Sequence, residues 1–314
     1  MRNITEPGRY TDVPAEDYHQ QLTPQPSLSS SFAREMISTC PRKAWHNSYL
    51  NPDRESSPKR HFDIGTAAHL VFLQPDEFQE RTVVVDADDW RTKAAQVARD
   101  DAYAAGKTPL LAKDLRMLND MHAALMMNPL ARAAFVEGTA EETFVARDKE
   151  TGVWLKARVD FRPKHGRWLV DYKTSSSAEP HEVSRAIANH RYYMQDPFYR
   201  DVVEAVTGER PRHFWFVVQE KEPPYLVTVH GIDAEDVERG AFLNRRAIWQ
   251  FAECLETGRW PEYSDKALIT SLPPWERERI ERGFDREVNP KALAPETLKR
   301  LTDWQAPADD RKAS

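Results

Sequence analysis

An α/β fold with a mixed central sheet is predicted by three features of the sequence. Strand-like segments fill most of residues 141–173, and two more follow at 213–219 and 225–231. A helical pattern separates the two groups, from about residue 180 to residue 207. Other helical patterns precede the first strand and follow the last. The resulting order, β-β-β-α-β-β between helices, is typical of a layered α/β domain.

The composition of the 314 residues excludes several classes of protein. Apolar residues make up 40% of the chain and charged residues 30%, which argues against disorder throughout. Two cysteines, Cys40 and Cys254, are too few for a four-cysteine zinc site or an iron–sulfur cluster. Because the formal net charge is −6, binding to nucleic acid would require a locally basic channel. The polar first residues and the absence of any apolar run of about 18 residues predict a cytoplasmic protein without a membrane segment.

Changes in composition predict three parts of the chain. Residues 1–26, rich in Pro, Asp, Glu and Gln, are expected to form an irregular N-terminal arm. Residues 261–314 are charged and proline-rich, and are expected to form a C-terminal tail. The domain between them, 27–260, divides into a helical part (27–140), a sheet core (141–231) and a closing helix (232–260).

Three helical segments are predicted before the sheet core. The first begins at the serine-rich run after Ser27 and breaks at Pro41. The second is a short apolar helix within residues 61–78 that stops before Pro75. The third covers most of residues 90–135, where Ala, Leu and Met recur at three- and four-residue spacing.

The strand that covers residues 153–162 and the strand after it carry the candidate catalytic residues. Asp160 lies near the end of the first strand, and a turn at 163–166 leads into the second, which carries Asp171 and Lys173. Since successive side chains of a strand alternate between its faces, Asp171 and Lys173 share a face, and the turn brings Asp160 close.

Two carboxylates and a lysine at one place have a specific chemical use. Carboxylates bind Mg²⁺ or Mn²⁺, which prefer oxygen ligands, and a lysine can orient or deprotonate a water and offset charge on a phosphate. The alternative is an ordinary pair of solvent-facing charges on a strand edge. The strand around Asp171 is mostly apolar, however, and buried strands rarely carry Asp and Lys without a reason.

Four segments of the chain form a combined pattern: Glu141, Gly152–Asp160, Leu169–Thr174 and Gln195–Tyr199. Their order and spacing resemble a known family, the RecE-type exonucleases (exonuclease VIII-like), in the RecB-like branch of the PD-(D/E)XK superfamily. The resemblance covers roughly residues 27–260 and is most specific over 141–199. It implies a restriction-endonuclease-like core with a mixed central sheet flanked by helices, plus an N-terminal helical region.

The resemblance also implies a larger metal site than the residues alone predict. By resemblance the ligands would be His69, Glu141, Asp160, Asp171 and the backbone carbonyl of Tyr172, with Lys173, Asp160, Asp171 and Glu141 as the catalytic set. Glu142 stays open as an alternative to Glu141, because a slip of one residue along the strand would exchange the two. A lone histidine on an apolar helix face, such as His69, is otherwise more often a hydrogen-bonded core residue.

Candidate DNA contacts come from the helix after the core and from the strand of Asp160. Tyr192, Gln195 and Tyr199 lie on one helical stripe, which the resemblance assigns to DNA binding. The alternative is an amphipathic helix whose aromatic rings pack on the sheet. Arg158 shares the strand face of Asp160 and could contact a phosphate, although an ion-paired arginine would be equally ordinary there.

The activity that the resemblance implies is Mg²⁺-dependent hydrolysis of linear double-stranded DNA, with Mn²⁺ as a substitute and no iron–sulfur cluster. Digestion would run 5′ to 3′ and leave 3′ single strands for a single-strand annealing recombinase, in recombination and repair. A ring-shaped homo-oligomer, a tetramer, is implied as well. The alternatives are an endonuclease for branched or single-stranded DNA on the same scaffold, and a non-catalytic DNA-binding module.

Overall fold

The helices and strands follow the α/β order that the sequence predicts, in a computed structural model that describes residues 3–54 and 63–287. The strands are β1 (Gly8–Tyr10), β2 (Ser27–Ser29), β3 (Thr82–Val85), β4 (Thr108–Leu111), β5 (Gly138–Arg147), β6 (Trp154–Pro163), β7 (Trp168–Ser175), β8 (His213–Glu220) and β9 (Val227–His230). The helices are α1 (Ala15–Tyr18), α2 (Ser30–Ser38), α3 (Pro41–Asn47), α4 (Asp63–Leu73), α5 (Pro75–Arg81), α6 (Lys93–Ala104), α7 (Ala112–Met127), α8 (Pro129–Ala134), α9 (Pro180–Asn189), α10 (Tyr192–Thr207), α11 (Ala234–Thr257) and α12 (Pro274–Glu287). Among these described helices, none is both long enough and apolar enough to cross a membrane.

The central sheet is mixed, as predicted. Its strands run in the order β1-β5-β6-β7-β8-β9, and β2 pairs with β6 beside this path. The pairs β7–β8 and β2–β6 are parallel, whereas β1–β5, β5–β6, β6–β7 and β8–β9 are antiparallel. β3 and β4 form a separate two-stranded parallel sheet. The mixed directions follow from the connections, since β5–β6–β7 are joined by tight turns and β7 reaches β8 through two helices.

Helices cover both faces of the central sheet and bury a core on each. On one face, the side chains of β5, β6, β7 and β8 pack against α2, α10 and α11; the large buried residues there are Phe32, Phe144, Phe198, Phe214, Phe216 and Phe251. On the other face, Val170, Tyr172 and Val217 pack against α4 and α7. The strict alternation of β7 therefore sends Leu169 and Asp171 to the first face and Val170 and Tyr172 to the second.

The N-terminal arm is ordered against the sheet, which corrects the prediction of an irregular segment for residues 1–26. β1 pairs antiparallel with β5. Four apolar side chains of the arm form a small core with Val145 and Trp154; they are Ile4, Val13, Tyr18 and Leu22. Each buried large side chain contributes about 2 kcal/mol, so these few residues suffice to fix a segment whose composition is otherwise polar.

Other boundaries differ from the prediction for local reasons. Ser27–Ser29 form β2 before the first helix begins, and Ser29 caps that helix by accepting a hydrogen bond from Phe32 N–H. The 90–135 segment contains strand β4 between its helices. The helical stretch predicted from 180 to 207 is broken between α9 and α10, where Arg191 adopts a left-handed conformation (φ 54°). These are short interruptions that a window of several residues averages away.

Residues 264–314 form a second unit. Its helix α12 carries ion pairs at helical spacing, Arg279 with Glu276 and Arg282 with Glu278. The predicted C-terminal tail is therefore helical in part, and its residues 288–314 lie outside the described part of the chain. Residues 61 and 62, at the start of the second predicted helix, lie outside it as well.

A close approach between α10 and α11 is possible because residue 240 is a glycine. Pro197 interrupts the hydrogen bonding of α10, since proline has no N–H to donate to the carbonyl of Tyr193 four residues earlier. Gly240 lies directly over that carbonyl, and a Cβ built on it would be 1.9 Å from the Tyr193 oxygen. One turn further along α11, Asn244 Nδ2 donates to the carbonyl of Met194 at 2.8 Å. α11 thus holds the first turn of α10 from behind.

We expect Gly240→Ala to destabilise the protein by about 1–3 kcal/mol, because the new methyl group must push α10 and α11 apart. The matched control is Gly65→Ala in α4, where a Cβ would lie 3.5 Å from Thr174 Oγ1, an ordinary contact. Urea denaturation of both variants measures the difference. A Gly240→Ala variant as stable as the control would contradict the proposed close packing.

Candidate active site

A gap in the central sheet between β6 and β7 creates the candidate site. The two strands share one register pair, Phe161 with Val170, before they diverge. The first half of β6 pairs with β2 instead. On the β7 side of the gap, the N–H of Tyr172 donates to Asp160 Oδ2 at 2.8 Å. Asp160 therefore reaches sideways into the gap, where groups from both faces of the sheet can approach it.

Three predicted metal ligands meet at this gap. His69 comes from α4, Glu141 from β5 and Asp160 from β6, and one ligand atom of each lies within 4.8 Å of the other two. His69 Nδ1 is 3.8 Å from Glu141 Oε1 and 3.8 Å from Asp160 Oδ2. Two carboxylates and an imidazole at this spacing form a donor set suited to a divalent cation. The His69 side chain retains 30% exposure, so the trio is open to solvent.

The structure brings Glu141 rather than Glu142 to the site. Glu141 has φ 52°, and the β5–β6 register passes from Ala140 directly to Glu142 without a pair at Glu141. A non-glycine residue in this left-handed region is strained, as often occurs at functional sites. The carboxylate of Glu142 is fully buried elsewhere, where it is paired with Arg9 and lies 3.8 Å from Arg162 Nη1.

Asp171 and Lys173 share a strand face, as predicted, and form an ion pair beside the trio. Lys173 Nζ lies 2.5 Å from Asp171 Oδ2. Gln195 Nε2 donates to the other oxygen, Oδ1, at 2.5 Å. Both oxygens of Asp171 are therefore engaged within the protein, and a cation that used Asp171 as a ligand would have to compete with Lys173. The carbonyl contact predicted for Tyr172 stays a prediction.

Burial and the neighbouring charges together shift the pKa values of the site. Burial and the charge of Asp171 raise the pKa of Asp160 to about 7. Burial lowers the pKa of His69, but the charges of Asp160 and Glu141 outweigh it and bring the value to about 8. Burial also lowers the pKa of Lys173, but the charges of Asp171 and Asp160 outweigh burial and raise that pKa above its ordinary value. A cation bound between the carboxylates would relieve this repulsion, so the residues present fit a divalent metal.

The stripe on α10 faces the site in part. Gln195 is buried and holds Asp171, and the ring of Tyr192 lies under Lys173, with Nζ 5.1 Å from its centroid. Tyr199 packs edge-on against Phe214, with ring centroids 5.6 Å apart. The packing alternative thus describes Tyr199 well. The DNA contacts predicted for these three residues stay predictions.

Arg158 has the environment of an ion-paired arginine, the alternative to the phosphate contact predicted from its strand face. Its Nε donates to Glu141 Oε2 at 2.5 Å, and its Nη1 donates to the carbonyl of Val13 at 2.7 Å. The side chain is only 10% exposed. Arg158 therefore ties the N-terminal arm to Glu141, and the geometry gives no support to a DNA contact.

One cation beside the site was missed by the sequence interpretation. Arg34, on α2, has its guanidinium carbon 5.4 Å from the centroid of Tyr192. Its Nη1 donates to the carbonyl of His190 at 2.9 Å. The surrounding Ser-Phe-Ala-Arg-Glu run has the pattern of an ordinary helix start, so no local signal distinguishes Arg34 from a solvated arginine.

Comparison with solved structures identifies a protein that shares this fold. The crystal structure of a protein from Eubacterium rectale described as "Putative exonuclease" is similar over 85% of this chain and 98% of its own, with a TM-score of 0.57 and 11% sequence identity. At that identity the likeness shows a shared fold. The crystal structure of SSO0001 covers 67% of this chain and 97% of its own, with 15% identity, but its TM-score of 0.26 is too low to support an argument.

Comparison with protein families gives the classification. No curated protein matches the chain. The family described as "PDDEXK-like domain of unknown function (DUF3799)" matches residues 29–272, which is most of the 314-residue chain. This match and the shared fold confirm the PD-(D/E)XK superfamily and the restriction-endonuclease-like core. The chain belongs to the family of PDDEXK-like domains called DUF3799.

Proposed function

We propose that this protein is a divalent-metal-dependent nuclease that hydrolyses phosphodiester bonds in DNA. The observation that carries the proposal is the meeting of the trio His69, Glu141 and Asp160 with the Asp171–Lys173 pair at the gap between β6 and β7. A cation site beside a half-buried lysine is suited to phosphate chemistry, because both offset the charge that develops on the phosphate oxygens. Membership of a PDDEXK-like family supports the same conclusion.

The proposed mechanism assigns a distinct task to each group. His69, Glu141 and Asp160 would hold the cation, which when bound supplies Lewis acidity toward the phosphate. Lys173 has a raised pKa and stays protonated near neutral pH, so it acts as a hydrogen-bond donor and a charge rather than as a base. It is placed to orient a water and to stabilise the attacked phosphate. A water oxygen forms the new bond to phosphorus, the bond to the leaving oxygen breaks, and the water's protons go to solvent and the leaving group.

Gln195, Asp171 and Arg158 have supporting tasks in this proposal. Gln195 fixes one oxygen of Asp171, which leaves the other to direct the ammonium group of Lys173. Arg158 donates to Oε2 of Glu141, whereas His69 lies near Oε1, so Arg158 helps to fix Glu141 without occupying the oxygen that faces His69. Supporting groups of this kind orient ligands and donors, and their loss commonly costs ten- to a hundredfold in activity or affinity.

The finer parts of the proposal rest on the resemblance to RecE-type exonucleases. They are a preference for linear double-stranded DNA, 5′ to 3′ polarity, 3′ single-stranded products passed to an annealing recombinase, Mg²⁺ with Mn²⁺ as substitute, a tetrameric ring and a cytoplasmic location. An endonuclease for branched or single-stranded DNA is the rival on the same scaffold. A non-catalytic module is disfavoured, because His69, Glu141, Asp160, Asp171 and Lys173 are all present.

Lys173→Ala is expected to reduce DNA hydrolysis about a hundred- to a thousandfold, because the attacked phosphate loses the ammonium group that donates a hydrogen bond to it and offsets its charge. The control is Lys164→Ala at the exposed turn, where Lys164 pairs with Glu137. Initial rates on a labelled duplex with Mg²⁺ measure both. If the wild type leaves the duplex intact, or Lys173→Ala digests it at the wild-type rate, the proposed function is wrong.

Asp160→Asn is expected to abolish Mn²⁺ binding and to stabilise the metal-free protein. A carboxyl whose pKa rises from about 4 to about 7 on folding costs stability at every pH above that range, since the unfolded state ionises more readily. At pH 9, where His69 is largely neutral, the variant should be at least about 1 kcal/mol more stable in EDTA. Asn can still accept the hydrogen bond from Tyr172.

Thermal melts in EDTA and in Mn²⁺ test this pair of effects, with Asp201→Asn as the matched control at an exposed position that pairs with Arg210. Mn²⁺ should raise the melting temperature of the wild type and of Asp201→Asn, but not of Asp160→Asn. An Asp160→Asn variant that is less stable in EDTA and still responds to Mn²⁺ would contradict the proposed cation site.

Linear and covalently closed circular duplexes separate the exonuclease from its endonuclease rival. We expect the linear form to be digested and the closed circle to stay intact, because an exonuclease requires an end. Comparing 5′- and 3′-labelled linear duplexes gives the polarity, and early release of the 5′ label is the expected result. Cleavage of the closed circle at a similar rate would replace the exonuclease proposal with the endonuclease.

A further inference from the structure

Arg34 is a cation at the candidate site whose charge no described carboxylate balances. The other site cations have carboxylate partners: Lys173 pairs with Asp171, Arg158 pairs with Glu141, and His69 lies 3.8 Å from Glu141 and Asp160. Among the described residues, no carboxylate oxygen lies within ion-pair distance of the Arg34 guanidinium. Its hydrogen bond within the same residues is from Nη1 to the carbonyl of His190. Its Nε is buried and has no hydrogen-bond partner. A guanidinium held at the site without a carboxylate partner leaves a positive charge available to an anion.

The position of Arg34 links it to the reacting groups. Its guanidinium and the ammonium group of Lys173 both lie within 5.4 Å of the centroid of one ring, that of Tyr192. Arg34 therefore lies in the wall of the same site, on the side of Lys173 and Tyr192.

The free donor of Arg34 matches a phosphate. Nε of Arg34 is enclosed and Nη1 donates to the backbone, so Nη2 is the donor left for a phosphate oxygen, and the guanidinium brings a full positive charge to it. Contact with Tyr192 holds the plane of the guanidinium without consuming its hydrogen-bond donors. A nucleic-acid strand whose scissile phosphate lies at Lys173 carries further phosphates on either side of it.

We infer that Arg34 binds an internal backbone phosphate of the cleaved strand, next to the scissile one, and so fixes the register of the strand in the site. This inference rests on the proposed function, since it requires a nucleic-acid substrate. Arg34 is then a binding residue and not a catalytic one: its loss weakens substrate binding while the chemical step at Lys173 keeps its rate.

A structural role offers the competing explanation. His190 is the C-cap of α9, and an arginine that donates to its carbonyl could serve only to stabilise the end of that helix. Loss of such a cap lowers thermal stability but leaves the salt dependence of DNA binding unchanged. The salt dependence counts the phosphates that the protein neutralises, and therefore separates the two roles.

The experiment compares wild type, Arg34→Gln, Arg34→Lys and Arg185→Gln. Arg185 is an exposed arginine of α9 that pairs with Glu182, so its loss changes the net charge equally. Binding of a short fluorescein-labelled duplex is measured by anisotropy with Ca²⁺ in place of Mg²⁺, over a range of salt concentrations. Melting temperatures are recorded in parallel. Because binding is measured without cleavage, the result does not depend on whether the protein cuts DNA.

Arg34→Gln is expected to raise Kd about ten- to a hundredfold and to reduce the slope of log Kd against log salt by about 1. Arg34→Lys should keep the slope and recover part of the affinity, since it restores the charge but not the planar guanidinium group. Arg185→Gln should match the wild type. In the Mg²⁺ reaction, KM should rise for Arg34→Gln while kcat stays within about threefold.

Three outcomes would overturn the inference. An unchanged slope with a lower melting temperature would assign Arg34 to the helix cap alone. A defect confined to a duplex with a 5′-phosphate, and absent with a 5′-hydroxyl, would replace the internal phosphate with a terminal one. Wild-type affinity in Arg34→Gln would exclude any phosphate contact. Wild-type protein that binds the duplex but does not cut it would contradict the proposed nuclease and leave the binding result standing.

Discussion

The backbone N–H of Tyr172 points to the side where β6 has turned away, and the carboxylate of Asp160 accepts its hydrogen bond. A buried backbone donor must be satisfied, and here a side chain does what the next strand would otherwise do. This bond fixes Asp160 in the opening between the strands. His69 can then reach Asp160 from one face of the sheet, while Lys173 stands at the same opening from the other.

The charges at this opening are unequally matched. Glu141 is balanced by Arg158 and Asp171 by Lys173, whereas the ion-pair partner that the described residues give Asp160 is His69, 3.8 Å away. Burial and the charge of Asp171 raise the pKa of Asp160 to about 7. A protein that kept such a carboxylate for structure alone would gain stability by replacing it, so the cost itself indicates a function. The left-handed backbone of Glu141 is a second local cost at the same place.

The sequence predicts the strands of the core and the convergence of Asp160, Asp171 and Lys173, because strand alternation and tight turns are local properties. The choice between Glu141 and Glu142 could not be made in that way, since one left-handed residue re-aims a side chain without changing the sequence pattern. The ordered arm was missed because its few apolar residues have no regular spacing and gain their burial from β5 and β6. Arg34 was missed for a related reason: that the described residues place no carboxylate within ion-pair distance of it is a property of the tertiary structure and not of the local sequence.

Helix α10 connects the stability of the fold to the geometry of the site. Gln195 lies in the first turn of α10 and donates a hydrogen bond to Asp171. Pro197 weakens the internal hydrogen bonding of the helix at the same place. A helix weakened at this point would allow Gln195 to drift, and Asp171 would lose one of its two partners. Asn244 and Gly240 of α11 oppose this by binding and covering the carbonyls of the same turn. The position of the Asp171–Lys173 ion pair therefore depends on a contact on the far side of α10, and α11 supports the candidate site by packing against that helix.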